Sequence, residues 1–337
     1  MRLLVILILT VLSLSGPALA QPRTASHSKT AGPKHTARAA KTKVQKPLPP
    51  YKGWGYLAEK LMQDGIQPHK VRSIFKDPRM PAYEHVMFSI EPRESAVQYR
   101  LFTHPAQVTL GRRCLSEHTA AFAQAEKNYS VDRHVLAAIL LIETHCGKST
   151  GKSTILYRLA RLATINAPEN LAYNLRAHNL HRGDNSAQRA RRDRIIKRAR
   201  RLEEMFYPEI AALLEIAERN HVDPFQIKGS TAGAFGIPQF LPSSYIKFGV
   251  DADGDGKVSL FNFTDAIASC ANFLKSYGWQ NEASLSEKRQ VIWQYNHSDA
   301  YIDTTLKVAE LLKAPPKPRR RAAKSAPQKT APPKKKK

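Results

Sequence analysis

Cysteine is scarce in this sequence: among 337 residues there are only Cys114, Cys146 and Cys270. They stand far apart and no CxxC occurs, which argues against a tetrahedral zinc cluster. In an oxidising compartment one pair could bridge and leave one thiol over, but the spacing does not choose the pair. Long apolar runs are missing beyond the first twenty residues, so no membrane-spanning helix is expected in the rest of the chain. There is no internal repeat and no regular series of alternating strands.

Acidic residues are also few, 28 against 53 Lys plus Arg, for a net charge of +25. Three stretches account for all of that excess. Residues 21–50 and 314–337 carry no acid at all, and residues 176–201 carry only Asp184 and Asp193. The remainder is close to neutral, so the basicity is appended to a fold. Such segments attract polyanions, and equally they can serve as solvated linkers. No basic–aromatic platform accompanies them, so no stable nucleic-acid partner is expected. Anionic cell-envelope polymers suit them better. Nothing in the sequence indicates an oligomeric state.

Residues 1–20 read as a secretory signal: Arg2, an apolar stretch Leu3–Leu14, then Ala18-Leu19-Ala20 as a cleavage pattern. The chain is therefore expected to be exported to the periplasm or cell envelope and to be soluble after cleavage. Residues 21–50 and 314–337 are rich in Pro, Ala and Lys and are expected to be disordered. One folded domain is expected over 51–313.

That domain reads as mainly helical. Helices are expected at 54–64, 116–129, 131–145 (with Ser130 as N-cap), 152–164, 203–220, 264–277 and 286–296. A loop is expected over 229–242, and a short hairpin could lie near 84–91. The basic stretch 176–201 reads as an inserted loop. Residues 135–142 (VLAAILLI) are all apolar, so the 131–145 helix is buried nearly all round.

Glu143 follows that apolar run directly. Loss of hydration raises a carboxyl pKa and lets it act as a general acid near neutrality. Taken alone, a Glu there is more often a surface group at a helix terminus. The segment 229–245, GSTAGAFGIPQFLPSSY, alters that balance. Ser230, Gln239 and other neutral polar groups alternate with Phe235, Phe240 and Tyr245, a mixture suited to sugar hydroxyls and ring faces. The segment lacks the Lys-Ser/Thr ending of a phosphate-binding loop.

Four blocks, in order, resemble the lytic murein transglycosylases of the membrane-bound B type: IETHCGKSTG (142–151), KGSTAGAFGIPQFLPSSY (228–245), DADGDGKVSLFNFTDAIAS (251–269) and YNHSDAY (295–301). The resemblance implies a lysozyme-like α+β catalytic domain with a small or absent β-hairpin, acting on peptidoglycan glycan strands. It implies Glu143 as the catalytic acid, then base, with Ser230, Gln239, Phe240, Tyr295 and Tyr301 as substrate-contacting or intermediate-stabilising positions. Core packing is the competing reading for Tyr295 and Tyr301. Two residues depart from the family pattern: Cys146 stands where an aromatic is common, and Phe273 where some members have Tyr. Arg200 and Arg201 are weak candidates for a substrate-binding arginine. A hydrolytic lysozyme and a non-catalytic wall-binding protein are the competing functions.

Asp251, Asp253, Asp255 and Gly256 match the start of an EF-hand loop, with the Lys257 carbonyl in seventh position. The twelfth position is Asn262, where a Glu is required. The resembling family has a longer loop, whose last ligand falls on Asp265. A structural Ca²⁺ is therefore expected, and no organic cofactor.

Overall fold

The structure, a computed structural model, describes residues 50–90, 96–180 and 185–315. The expected leader 1–20, nearly all of the linker 21–50, most of the tail 314–337 and residues 181–184 of the basic stretch lie outside these. Helices dominate. In chain order they are α1 (Gly55–Gln63), α2 (Pro68–Lys76), α3 (Ala96–Arg100), α4 (Pro105–Glu117), α5 (Thr119–Tyr129) and α6 (Arg133–Thr144). β1 (Ser153–Thr154) leads into α7 (Ile155–Ala163), α8 (Pro168–Ala177) and α9 (Ser186–Arg219). After β2 (Lys228–Gly229) come α10 (Pro242–Phe248), α11 (Phe263–Ser276), α12 (Leu285–Tyr295) and α13 (Asp299–Lys313). Among the described residues no helix is long and apolar enough to cross a membrane.

The apolar run of α6 lies at the centre, packed by α4, α5, α11 and α13. Leu136, Ile139, Leu140 and Leu141 are each fully buried, a change from water worth roughly 1.5–3 kcal/mol per side chain. The helix starts two residues later than a Ser130 cap would place it. Ser130 instead ends α5 in a left-handed conformation, φ 56°. The N-cap is Asp132, whose Oδ1 accepts the His134 N–H at 2.8 Å. A carboxylate there also faces the positive end of the helix dipole.

The basic stretch is not an inserted loop over its described C-terminal part. Residues 186–201 form the first half of α9, a helix of 34 residues. Ile195, Ala199, Leu202 and Phe206 are buried along one side of it. That apolar stripe at helical spacing was hidden by the arginines between its members. Helices α2, α3, α4, α8, α10 and α13 were not anticipated either. In α4 the buried stripe is only Val108, Gly111 and Cys114, too small and mixed to read as a hydrophobic face. Gly111 is there for close approach: a Cβ on it would lie 2.8 Å from Leu312 Cδ2.

No hairpin forms at 84–90. That segment pairs with no strand, and α8 side chains accept two of its backbone N–H groups instead. The Val86 N–H donates to Asn170 Oδ1 at 2.7 Å, and the Phe88 N–H donates to Asn174 Oδ1 at 3.1 Å. The one sheet among the described residues pairs β1 with β2 antiparallel, Ser153 opposite Gly229 and Thr154 opposite Lys228. Two glycines permit this approach. Gly151 has φ +93°, and a Cβ on it would sit 2.1 Å from the Gly229 carbonyl oxygen. Gly151→Ala is therefore expected to lower stability by more than about 1 kcal/mol, read as a fall in thermal unfolding midpoint. An unchanged midpoint would show that the β1–β2 approach is not fixed by this residue.

Candidate active site

Glu143 is the penultimate residue of α6. Beyond it the chain reverses through three successive left-handed residues, His145 (φ 52°), Cys146 (φ 54°) and Gly147 (φ 75°). Thr144, fully buried, fastens this turn. Its Oγ1 donates to the Ile237 carbonyl at 2.9 Å and accepts the Gly147 N–H at 2.9 Å. The end of the catalytic-candidate helix is thereby tied to the 229–241 loop.

The hydroxyl of Tyr301 donates to Glu143 Oε1 at 2.7 Å. Tyr301 sits in the first turn of α13, where the Ser298 hydroxyl accepts its N–H at 3.0 Å. Its ring lies between Tyr99, edge-on at 6.1 Å, and Tyr295, parallel at 6.3 Å. Burial pushes the Glu143 carboxyl up to about 7, against the opposing effect of the Tyr301 hydrogen bond. Burial and the nearby Glu143 charge raise the Tyr301 phenol well above its usual range, so it remains a donor across the range in which Glu143 titrates.

Glu143 opens onto a groove of about 410 Å³. The described lining includes one acidic side chain, Glu143, and one basic side chain, Lys152. Both Ser230 and Gln239 line this groove. The Ser230 hydroxyl accepts the Ala234 N–H at 3.2 Å, bracing the glycine-rich turn. Gln239, buried and left-handed at φ 50°, donates from Nε2 to the Thr150 carbonyl at 3.1 Å and the Gly236 carbonyl at 2.8 Å. It thus joins the 147–151 turn to the 229–241 loop.

The other expected contacts fall differently. Phe240 is buried against Phe273 and Tyr295 and does not line the groove. Its place as a sugar platform is corrected to core packing, as is that of Phe235. Tyr301 is fully buried and reaches the carboxylate, not the groove surface. Tyr295 donates its hydroxyl to the Pro238 carbonyl and so supports the loop from behind. Arg200 and Arg201 are exposed on α9 and do not line the groove. The aromatic groups in the lining are instead Phe102, partly exposed, and Tyr99, which is largely buried, with Gln98 beside them. These follow a segment without a clear period, and no spacing in the sequence singles them out.

Asp251, Asp253 and Asp265 bring carboxylate oxygens within 4.8 Å of one another. Asp265 is buried in the first turn of α11 and accepts the Ala252 N–H at 2.9 Å and the Ser259 N–H at 2.7 Å. Asp255 stands outside the cluster. It is exposed, and its Oδ1 accepts the Lys257 N–H at 2.8 Å in a local turn. Three hard oxygen donors of this kind fit Ca²⁺.

Comparisons with known proteins agree with this geometry. A family model described as the transglycosylase SLT domain matches residues 52–289. The membrane-bound lytic murein transglycosylase B of Escherichia coli (strain K12) is 32% identical over 189 residues, 56% of this chain. The match covers 43% of that relative, so the chain spans less than half its length. The E. coli lytic transglycosylase SLT35, solved in complex with calcium, superposes with a TM-score of 0.56 at 21% identity, covering 77% of this chain and 92% of the other. SltB3 from Pseudomonas aeruginosa, solved with NAG-anhNAM-pentapeptide, gives 0.55 at 19%, covering 77% and 78%. The mainly helical, lysozyme-like fold is thus shared with these structures.

A raised carboxyl pKa carries a stability consequence. Below the unfolded-state value Glu143 is protonated in both states and neutral to folding. As pH rises towards about 7 the unfolded chain ionises first, so stability falls by up to about 3 kcal/mol. Glu143→Gln is expected to unfold at a higher temperature than the parent at pH 8 and at a similar temperature at pH 4. Equal midpoints at pH 8 would mean that the carboxyl is not desolvated.

Proposed function

We propose, from the premise that this chain belongs to the transglycosylase SLT domain family, that it is a lytic transglycosylase cutting peptidoglycan glycan strands between N-acetylmuramic acid and N-acetylglucosamine. The observation that carries this reading is the single carboxyl of Glu143, buried enough to be half-protonated near neutrality and the only acid among the described groove lining. Ordinary glycosidases need two carboxylates, one for the leaving group and one for a nucleophile or a water. One carboxyl suffices if the nucleophile belongs to the substrate.

Protonated Glu143 donates its proton to the glycosidic oxygen, and the bond from that oxygen to the muramyl C1 breaks. The resulting Glu143 carboxylate is stabilised by the Tyr301 hydroxyl. It then accepts the proton of the muramyl C6 hydroxyl as that oxygen bonds to C1. Glu143 ends protonated, and the product carries a 1,6-anhydro end with no water consumed. The internal hydroxyl replaces water through its high effective concentration. The name of the E. coli relative and the anhydro ligand of SltB3 support the same product.

The substrate implies action in the cell envelope, reached by export through the 1–20 leader. The basic segments outside the catalytic unit would meet anionic envelope polymers there. Asp251, Asp253 and Asp265 would hold Ca²⁺ with the Lys257 carbonyl, fixing the 251–265 loop on the N-terminus of α11. The calcium complex of SLT35 supports this assignment.

Digestion of purified peptidoglycan should release muropeptides with anhydro ends, each lighter by one water than its hydrolytic counterpart in mass spectrometry. Reducing ends alone would overturn the assignment in favour of a hydrolase. Glu143→Gln should lower the rate by at least about 100-fold, and the parent rate should decline above pH 7 as the acid form is lost. Saturating Ca²⁺ should raise the unfolding midpoint, by on the order of 2–3 kcal/mol at a hundredfold excess over Kd. Asp265→Asn should abolish that response. A parent midpoint unmoved by both Ca²⁺ and chelator would exclude the site.

A further inference from the structure

A second cavity, of about 720 Å³, shares no lining residue with the Glu143 groove. The turn 51–53, α1, the 82–85 segment and the N-terminus of α8 form it. Tyr51, Tyr56, Tyr83 and His85 bring rings to its lining, and Glu59 and Glu169 bring carboxylates.

The walls are fixed before any ligand arrives. Tyr51 and Lys52 are both left-handed, at φ 55° and 53°, a conformation that side-chain-bearing residues keep only with support. Lys52 supplies that support. Its Nζ donates to the Asp77 carbonyl at 2.7 Å and the Met80 carbonyl at 2.9 Å, and its own carbonyl accepts the Tyr83 N–H at 2.9 Å. The Trp54 indole N–H donates to the Pro81 carbonyl at 2.8 Å, and its ring meets Tyr83 edge-on at 5.2 Å. His85 stacks on Tyr173 at 4.9 Å. The Tyr56 hydroxyl donates to Glu203 Oε1 at 2.7 Å.

The chemistry of this lining is unlike that of the groove. It contains no Ser, Thr, Asn or Gln among the described residues, so it lacks the neutral groups that suit sugar hydroxyls. Its ammonium group, that of Lys52, is engaged by two backbone carbonyls. Glu59 and Glu169 are exposed, and neither makes a hydrogen bond or ion pair among the described residues. Two unpaired carboxylates beside tyrosine rings run against the trend of a chain of net charge +25. An ammonium gains from both partners, through charge-assisted hydrogen bonds and through the ring faces.

We propose that this cavity binds a protonated primary amine on an aliphatic arm, with Glu59 and Glu169 pairing the ammonium and the tyrosine rings flanking it. Its source is the diamino-acid side chain of a peptidoglycan stem peptide, an identification that rests on the proposed function. Capture of the peptide here, with the sugar in the Glu143 groove, raises the effective concentration of the strand at the catalytic carboxyl.

A backbone-amide NMR titration of the full chain with Nα-acetyl-lysine amide tests the site. Saturable shifts are expected at 51–59, 82–85 and 168–169, and none with the Nε-acetylated form. Glu59→Gln/Glu169→Gln should weaken binding about 5- to 10-fold and leave the unfolding midpoint unchanged. No saturable shifts, equal shifts with the acetylated form or with N-acetylglucosamine, or undiminished binding by the double variant would overturn the proposal. On soluble stem-bearing strands, acetylation of the diamino-acid amine should raise the parent KM. The double variant should lose that difference and keep the parent kcat on the acetylated strands. Equal parent KM values would overturn the stem peptide as the source. Anhydro products without amine binding would sink the cavity alone, whereas amine binding without anhydro products would sink the lytic reading and the stem-peptide source and support the amine site.

Discussion

Desolvation of one carboxyl organises much of this molecule. Glu143 ends a helix whose preceding eight residues are all buried, so its ionised form loses water and gains little in return. Among the described residues only the Tyr301 hydroxyl hydrogen-bonds it, at 2.7 Å. The balance leaves the acid poised near neutrality, where proton donation and proton recovery are both accessible. A second carboxylate would disturb that balance, and a guanidinium would abolish it by stabilising the anion. The neutral character of the 229–241 loop fits this requirement. Its serine, glutamine and backbone groups can meet sugar hydroxyls without adding charge beside Glu143.

Several supports of the site lie behind the groove. Thr144 joins the turn after α6 to the glycine-rich loop, and Tyr295 holds that loop through Pro238; Gln239 makes a similar join from the groove lining. The aromatic block of Phe240, Phe248, Phe273 and Tyr295 lies behind it. Phe273 makes ring contacts with Phe240, Phe248, Tyr277 and Tyr295. Much of the site's support therefore comes from side chains behind the groove, beside the bracing bonds of Ser230 and Gln239 in its lining.

What could be read in the sequence followed the strength of local signals. The uninterrupted apolar run of α6, the Gly-rich loop and the alternating aspartates each have a pattern that physics ties to one arrangement. The Asn170 and Asn174 contacts to the 86–88 backbone had no such pattern, because a side chain replacing a strand partner leaves no periodicity. The length of α9 was obscured by charge, since the exposed residues of its first half are mostly basic. Phe240 was misjudged because alternation of aromatic and polar residues describes a loop folded over its own core as well as one open to a ligand. Gln98, Tyr99 and Phe102 reach the groove through tertiary packing alone.

Helix α9 has one further consequence. At 34 residues it is about 50 Å long, well beyond the ~30 Å diameter of a small domain. Its N-terminal half carries Arg189, Arg191, Arg192, Arg194, Lys197, Arg198, Arg200 and Arg201 against a lone Asp193, while its C-terminal half is acidic, with Glu203, Glu204, Glu209, Glu215 and Glu218 against a lone Arg219. The body therefore carries an electric dipole fixed to its skeleton. Near a negatively charged surface it experiences a torque as well as an attraction. Its approach is aligned before any contact is made, and added salt weakens that alignment.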